Sequence, residues 1–324
     1  MRNLGRRIGA MTATVILLAL PVTAWAQRQS IFDWSRLRNY EPTTAVQQLV
    51  TRTTMNEYGK RIFYVYHPSL EPKSSFNNHC TESEQTIVLG CYVSRSGIYI
   101  YDITDDRLTG VEEVTAAHEM LHAAYERLKP PEKQRINSLL SQTFLALTDE
   151  RIKATVEQYR KKDATVVPNE LHSILATEYL KLPHELETYY SRYFDDRSKI
   201  VALSQQYEQA FSARQSKVAA ADSRLKELKL QIDQSEKNLA SQTQSLTAQR
   251  ARMDKLISDG KIAEYNDAVP AYNQDVASHN INVASTKKLI EEYNLVVKER
   301  NSLVLEENEL INAIDSRPST LNSQ

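Results

Sequence analysis

Residues 109–128 read TGVEEVTAAHEMLHAAYERL, and the spacing of His118 and His122 inside that stretch governs how the rest of the chain is read. Two residues four apart on a helix project from one face, a turn apart, so both imidazoles can reach a single metal ion, with Glu119 beside them. Val111, Val114, Leu121, Tyr125 and Leu128 recur at helical spacing on the side of the two histidines, which turns the ligand face inward. Thr109 and Glu112 read as a capping box that opens this helix, and Pro130-Pro131 as its stop. An ordinary core helix is the competing reading. It is the weaker one, because two His and a Glu on a mostly apolar face are costly unless something binds or pairs them.

The whole chain sets the bounds. Its 324 residues, 41% apolar with a net charge of -1, fit a globular protein of two domains and give no basic surface for nucleic acid. Only seven glycines are present, and none forms a P-loop, a GxGxxG turn or a GxSxG elbow. At the start, Arg2, Arg6 and Arg7 precede the apolar run MTATVILLAL, and Ala24-Trp25-Ala26 makes a small-x-small cleavage site before Gln27. Residues 1–26 are therefore expected to be a secretory signal peptide or, left uncleaved, an N-terminal membrane anchor, which would be the chain's one contact with a membrane. Either way the rest is exported: secreted, periplasmic or on the outer face of a membrane. Cys80 and Cys91, the only two cysteines, are then expected to form a disulfide.

Residues 43–57 read as a helix with Ala45, Leu49 and Met55 apolar. IFYVYH (62–67), TIVLGCYV (86–93) and GIYIYDI (97–103) read as three strands, rich in β-branched and aromatic residues, the last two joined by a hairpin at Ser94–Gly97. The third leads into the histidine helix. The expected class is α+β: a small domain at 27–199 with a three-stranded sheet, the histidine helix and downstream helices.

His118-Glu119-Met120-Leu121-His122 is the HExxH motif of zinc peptidases, and helix, small sheet, HExxH helix is the order found in zincin metallopeptidases, which the chain resembles from about residue 43 to 195. That resemblance implies one Zn2+ ion, a peptide or protein substrate, and hydrolysis by a zinc-activated water with Glu119 as general base. It also implies a sheet-edge strand along the cleft, for which GIYIYDI is the candidate. A catalytic zinc normally has three protein ligands. No histidine follows at the metzincin spacing, whereas Asn169-Glu170-Leu171-His172-Ser173 resembles the gluzincin pattern, in which a downstream Glu completes the set. Glu170 is the first candidate, Glu178 the alternative, and His172 the third. Thermolysin-type gluzincins carry an Asp four residues after the ligand Glu; here that position is Ile174, so another group must orient the imidazole. His184, Tyr189, Tyr190 and Tyr193 are candidate donors to the oxyanion.

From Ile200 the composition becomes helical. Phe211, Val218, Leu225, Ile232, Leu239, Leu246 and Met253 recur every seven residues, with a weaker second seam at Tyr207, Arg214, Ala221, Leu228, Ser235, Gln242 and Gln249. After a break at Asp259-Gly260, Ile262, Val269, Val276, Val283, Ile290, Val297, Val304 and Ile311 keep the same period, beside Tyr265, Tyr272, His279, Thr286 and Tyr293. Residues 200–315 are expected to form an antiparallel coiled-coil hairpin, kinked at Pro270, ahead of a disordered tail at 316–324. The hairpin offers a surface for self-association or a protein partner. The function expected is an exported zinc metallopeptidase; the alternative is an exported coiled-coil scaffold whose zincin-like domain no longer cleaves.

Overall fold

The computed structural model describes residues 27–80 and 88–317. The expected signal or anchor segment at 1–26, the start of the expected strand 86–93 and residues 318–324 of the expected tail lie outside the described residues. The chain falls into two compact units: one runs to Glu208 and resumes at Ala313, and the other is Gln209–Asn312.

In the first unit α1 (Arg28–Leu37), α2 (Thr44–Arg52), α3 (Glu57–Val65), β1 (Ser69–Glu71), α4 (Lys73–His79), β2 (Gly90–Val93) and β3 (Gly97–Tyr101) lead into α5 (Val111–Glu126), the HExxH helix. Then follow α6 (Pro130–Ala146), α7 (Glu150–Lys162), α8 (Val167–Glu178) and α9 (His184–Tyr190), before the long α10 (Arg197–Ser258) begins. The class is α+β. The sheet has the order β1-β3-β2, with β1 parallel and β2 antiparallel to β3.

The core is built around α5. Met120 and Leu121 are fully buried, and Ala116, Ala117, Ala123 and Ala124 are at most 1% exposed. A helix that is apolar on nearly all sides belongs in an interior, and here the alanines leave room for α8 and the sheet to approach it closely. Fully burying Met120 and Leu121 contributes ~1.5–3 kcal/mol each. At its C-terminal end, Arg127 donates two 3.0 Å hydrogen bonds to the buried Asp33 of α1. Cys80 and Cys91 form a disulfide that ties the end of α4 to β2.

Several expectations are corrected. IFYVYH is not a strand, since residues 62–65 complete α3. The Asn56 side chain caps that helix by accepting from the Tyr58 and Gly59 amides, and Gly59, Ile62 and Phe63 bury one helical face. Local capping and a 3.6-residue face outweigh the β-propensity of Ile, Phe, Tyr and Val. The third strand is instead Ser69–Glu71, and β3 lies at the sheet centre, so GIYIYDI has no free edge; the edges are β1 and β2. The 43–57 helix stops at Arg52, and Val46 rather than Ala45 faces the core.

The Thr109–Glu112 capping box does not form. Gly110, at φ +104°, is the cap residue of α5; Thr109 donates to Asp106 O, and the Glu112 carboxylate accepts from the Ile103 amide. The α5 helix ends at Glu126, and the two prolines open α6 instead. Nor does the tail begin at 316 as expected, because Ser316 is buried and its hydroxyl donates to Val88 O.

In the second unit α10 continues to Ser258, Gly260 turns the chain at φ +72°, and α11 (Ile262–Ile314) returns. Arg214 with Glu306, Arg224 with Glu292, Arg300 with Asp222, and Asn282 with Gln242 pair across the two helices in antiparallel order. On the outgoing helix Ala221, Leu228, Ile232 and Met253 are buried seam positions. The returning seam differs from expectation. Ile262 and Ile290 are exposed at 53% and 39%, while Thr286 is buried, so the seam shifts toward the partner positions. A straight 3.6-residue helix drifts against a strict seven-residue repeat, so the β-branched series does not stay on the line of contact.

Candidate metal centre

Both imidazoles of α5 point the same way, with ring centroids 4.7 Å apart. The ligand atoms of His118, Glu119 and His122 lie within 4.8 Å of one another. Across from them stands α8. His118 Nε2 is 3.7 Å from Glu170 Oε2, and His122 Nε2 is 3.8 Å from Glu170 Oε1. These spacings are too long for hydrogen bonds. Ligand atoms at ~2.05 Å from a tetrahedral ion lie ~3.3 Å apart, so a shift of a few tenths of an ångström would let the three groups share a metal. Glu170 Oε2 is buried and has no hydrogen-bond partner, an orphaned acceptor facing the two imidazoles. The residues present therefore fit a divalent cation.

The electrostatics agree. Burial alone would push the Glu170 carboxyl up, but the facing imidazoles of His118 and His122, with the nearby Tyr159 phenol, outweigh it and hold the group below the usual carboxylate value. Tyr159 was not legible as a site residue. It comes from α7, a charged surface helix, and stands near enough to Glu170 for each group to shift the other's titration. Burial, then the negative charges of Glu170, Glu119 and Glu178, push its titration well above the ordinary tyrosine value, so the phenol stays protonated.

A second overlooked contact answers the missing aspartate. Ser173 Oγ lies 3.4 Å from His122 Nδ1, on the ring side away from Glu170, where it can fix the tautomer that offers Nε2 as a ligand.

Glu119 is 6% exposed and packs against β2: a Cβ placed on Gly90 would stand 3.0 Å from Glu119 Cγ and 2.4 Å from Thr115 Cγ2. Only a glycine lets the edge strand come this close to the helix at the glutamate. The domain is zincin-like. Its HExxH triad is that of a metallopeptidase able to hydrolyse peptide bonds with a bound metal. Compared with family models, curated proteins and solved structures, the chain has no match, so the assignment stands on the fold and the site.

The remaining sequence candidates lie elsewhere in the domain. The Glu178 carboxylate accepts from Arg151 Nη1 at 2.6 Å, and Glu208 Oε1 shares that nitrogen at 2.7 Å. His172 is wholly buried, and its Nε2 is 2.8 Å from the Tyr189 hydroxyl. Burial, then the charges of His122, His118 and Lys133, keep it neutral far below the ordinary histidine value. Tyr189 also meets Tyr193 at 3.2 Å, and Tyr190 donates to His172 O at 2.8 Å, so these hydroxyls are engaged inside the core beneath α8. His184 is exposed at the start of α9.

Proposed function

We propose that the chain is an exported zinc-dependent endopeptidase of gluzincin type, with His118, His122 and Glu170 as ligands and Glu119 as general base. The observation that carries the reading is the meeting of two Nε2 atoms and one unsatisfied carboxylate at 3.7 and 3.8 Å. Two imidazoles and a carboxylate suit zinc, which when bound lowers the pKa of water toward ~7 and polarises a carbonyl. Glu119 takes the proton of the attacking water and hands it to the leaving amine nitrogen. The Tyr159 phenol stands beside Glu170, and Ser173 orients His122.

Among the described residues β2 pairs only with β3, and Gly90 sets it against Glu119. An extended substrate backbone is therefore assigned to β2, by strand addition at its free edge. The Cys80–Cys91 disulfide supports export, since such bonds persist in oxidising compartments. No described helix is long and apolar enough to cross a membrane. The helical hairpin is assigned to self-association or a protein partner, supported by Leu230, Ile281, Leu295 and Leu305, each more than 60% exposed.

The test compares cleavage of unfolded proteins by wild type and Glu119→Gln, with metal content measured on both. Equal zinc, with cleavage by wild type alone, is expected. Zinc in both and cleavage by neither, over a broad peptide library, would favour the non-cleaving scaffold.

A further inference from the structure

One surface is unexplained by the peptidase reading and independent of it. On α1, at 100° per residue, Gln27, Arg28, Ile31, Trp34, Ser35 and Arg38 share an arc of about 120°. Ile31 is 50% exposed and Trp34 61% exposed, an unusual placement for an indole. The opposite face is firmly held. Asp33 is buried against Arg127, and Arg36 donates to Val65 O at 3.0 Å and Ser96 O at 2.8 Å. The outward position of Trp34 is thus fixed by anchors on the opposite face and is not the result of a loose end.

The charge on this helix is one-sided. Its only acid, Asp33, is turned inward, so the outer arc carries Arg38 with no carboxylate from α1 beside it. The Arg38 guanidinium lies 5.5 Å from the Trp34 ring centroid, which puts a cation at the rim of the apolar pair. In the sequence this face follows directly on residues 8–26, which contain no charged residue.

We propose that the outer face of α1 lies in the headgroup layer of an anionic lipid membrane, with Trp34 and Ile31 at the acyl boundary and Arg38 on a lipid phosphate. Tryptophan favours that depth, since its ring is apolar and its N–H is polar. Each arginine near an anionic surface adds roughly 1 kcal/mol of attraction. A protein partner fits less well. Two apolar side chains on a ten-residue helix fall short of the ~800 Å² per side that a stable protein interface buries. Adjacency to an apolar run that can itself hold the chain at a bilayer supplies the second attachment that a weak interfacial helix needs.

Trp25 and Trp34 are the only two tryptophans, so the full chain carrying Trp25→Phe has a single indole reporter. It is reconstituted into vesicles of phosphatidylcholine and phosphatidylglycerol, with and without lipids brominated midway along the acyl chain. The expected result is that bromolipid removes at least half of the Trp34 emission while aqueous iodide removes little. Adding Arg38→Gln should shift Trp34 away from bromolipid quenching and toward iodide quenching. Trp34 emission insensitive to bromolipid and quenched by iodide, in a chain that pellets with the vesicles, would overturn the proposal and leave the face to a protein partner.

Discussion

Adding one methyl group at Gly90 probes the packing that places the general base. An alanine Cβ there would meet Thr115 Cγ2 at 2.4 Å, Glu119 Cγ at 3.0 Å and Tyr99 O at 3.2 Å. Carbon atoms pack at about 3.5–4.0 Å, so ~1 Å must be found between β2 and α5. Thr115 cannot easily yield it, because it is 8% exposed and β-branched on a helix, with restricted rotamers. Overpacking of this kind costs ~1–3 kcal/mol, and at ~2–4 °C per kcal/mol for a domain of this size the melting temperature should fall by ~2–12 °C.

The catalytic cost of Gly90→Ala should be larger than the loss of stability suggests. A displacement of ~1 Å at a reacting group can cost ~100-fold, so kcat should fall by one to two orders of magnitude. Zinc content should not change, because none of the three proposed ligands is touched. Calorimetry, metal analysis and steady-state kinetics on one peptide measure the three effects. Thr115→Ser, which deletes the methyl that clashes, should restore much of both losses in the double variant. Gly90→Ala with wild-type melting temperature and kcat would refute the claim that β2 must approach Glu119 this closely.

Other perturbations probe the supporting groups. Ser173→Ala should weaken zinc binding by ~10-fold, the low end for such partners, because the 3.4 Å contact to His122 Nδ1 is long; a chelator competition titration reads it, and an unchanged affinity would leave His122 with another orienting group. Tyr159→Phe keeps the ring and removes the hydroxyl nearest Glu170, so the same titration should show a ~10-fold loss with little change in melting temperature; a fall in melting temperature alone would make Tyr159 a packing residue.

Stability should also depend on Glu112. Burial above all, then the charges of Asp102 and Glu113, raise its carboxyl from 4.5 to about 7 against the lowering bond from the Ile103 amide. Between those values the folded chain keeps a proton that the unfolded chain has lost, so stability declines as pH rises from about 4.5 to 7. Glu112→Gln retains the oxygen for Ile103, so its melting temperature should fall less than that of wild type across this window; parallel curves would show that Glu112 does not titrate there.

The features legible in the sequence are those set by local spacing. The four-residue step from His118 to His122, the seven-residue period of α10 and the Cys80–Cys91 pair each carry their geometry in the order of residues. The sheet was less legible. Ser69-Leu70-Glu71 becomes a strand because β3 offers it a parallel edge, while Ile62-Phe63-Tyr64-Val65 has strand-like composition but is held in a helix by the Asn56 cap and by what it packs against. Site residues followed the same division. Glu170 could be named only through a resemblance, and Tyr159 not at all, because the packing that brings α7 and α8 to the histidines is long-range. Ser173 and Gly90 gain their roles from distances that no pattern of residue types records.

Metal content in three purified chains, wild type, Glu170→Ala and Glu178→Ala, tests the centre most directly once each has been shown to melt cooperatively. The expected result is one zinc per chain in wild type and in Glu178→Ala, and an empty site in Glu170→Ala. Full zinc occupancy in folded Glu170→Ala would contradict the account, since the carboxylate facing His118 and His122 would then not be what holds the ion.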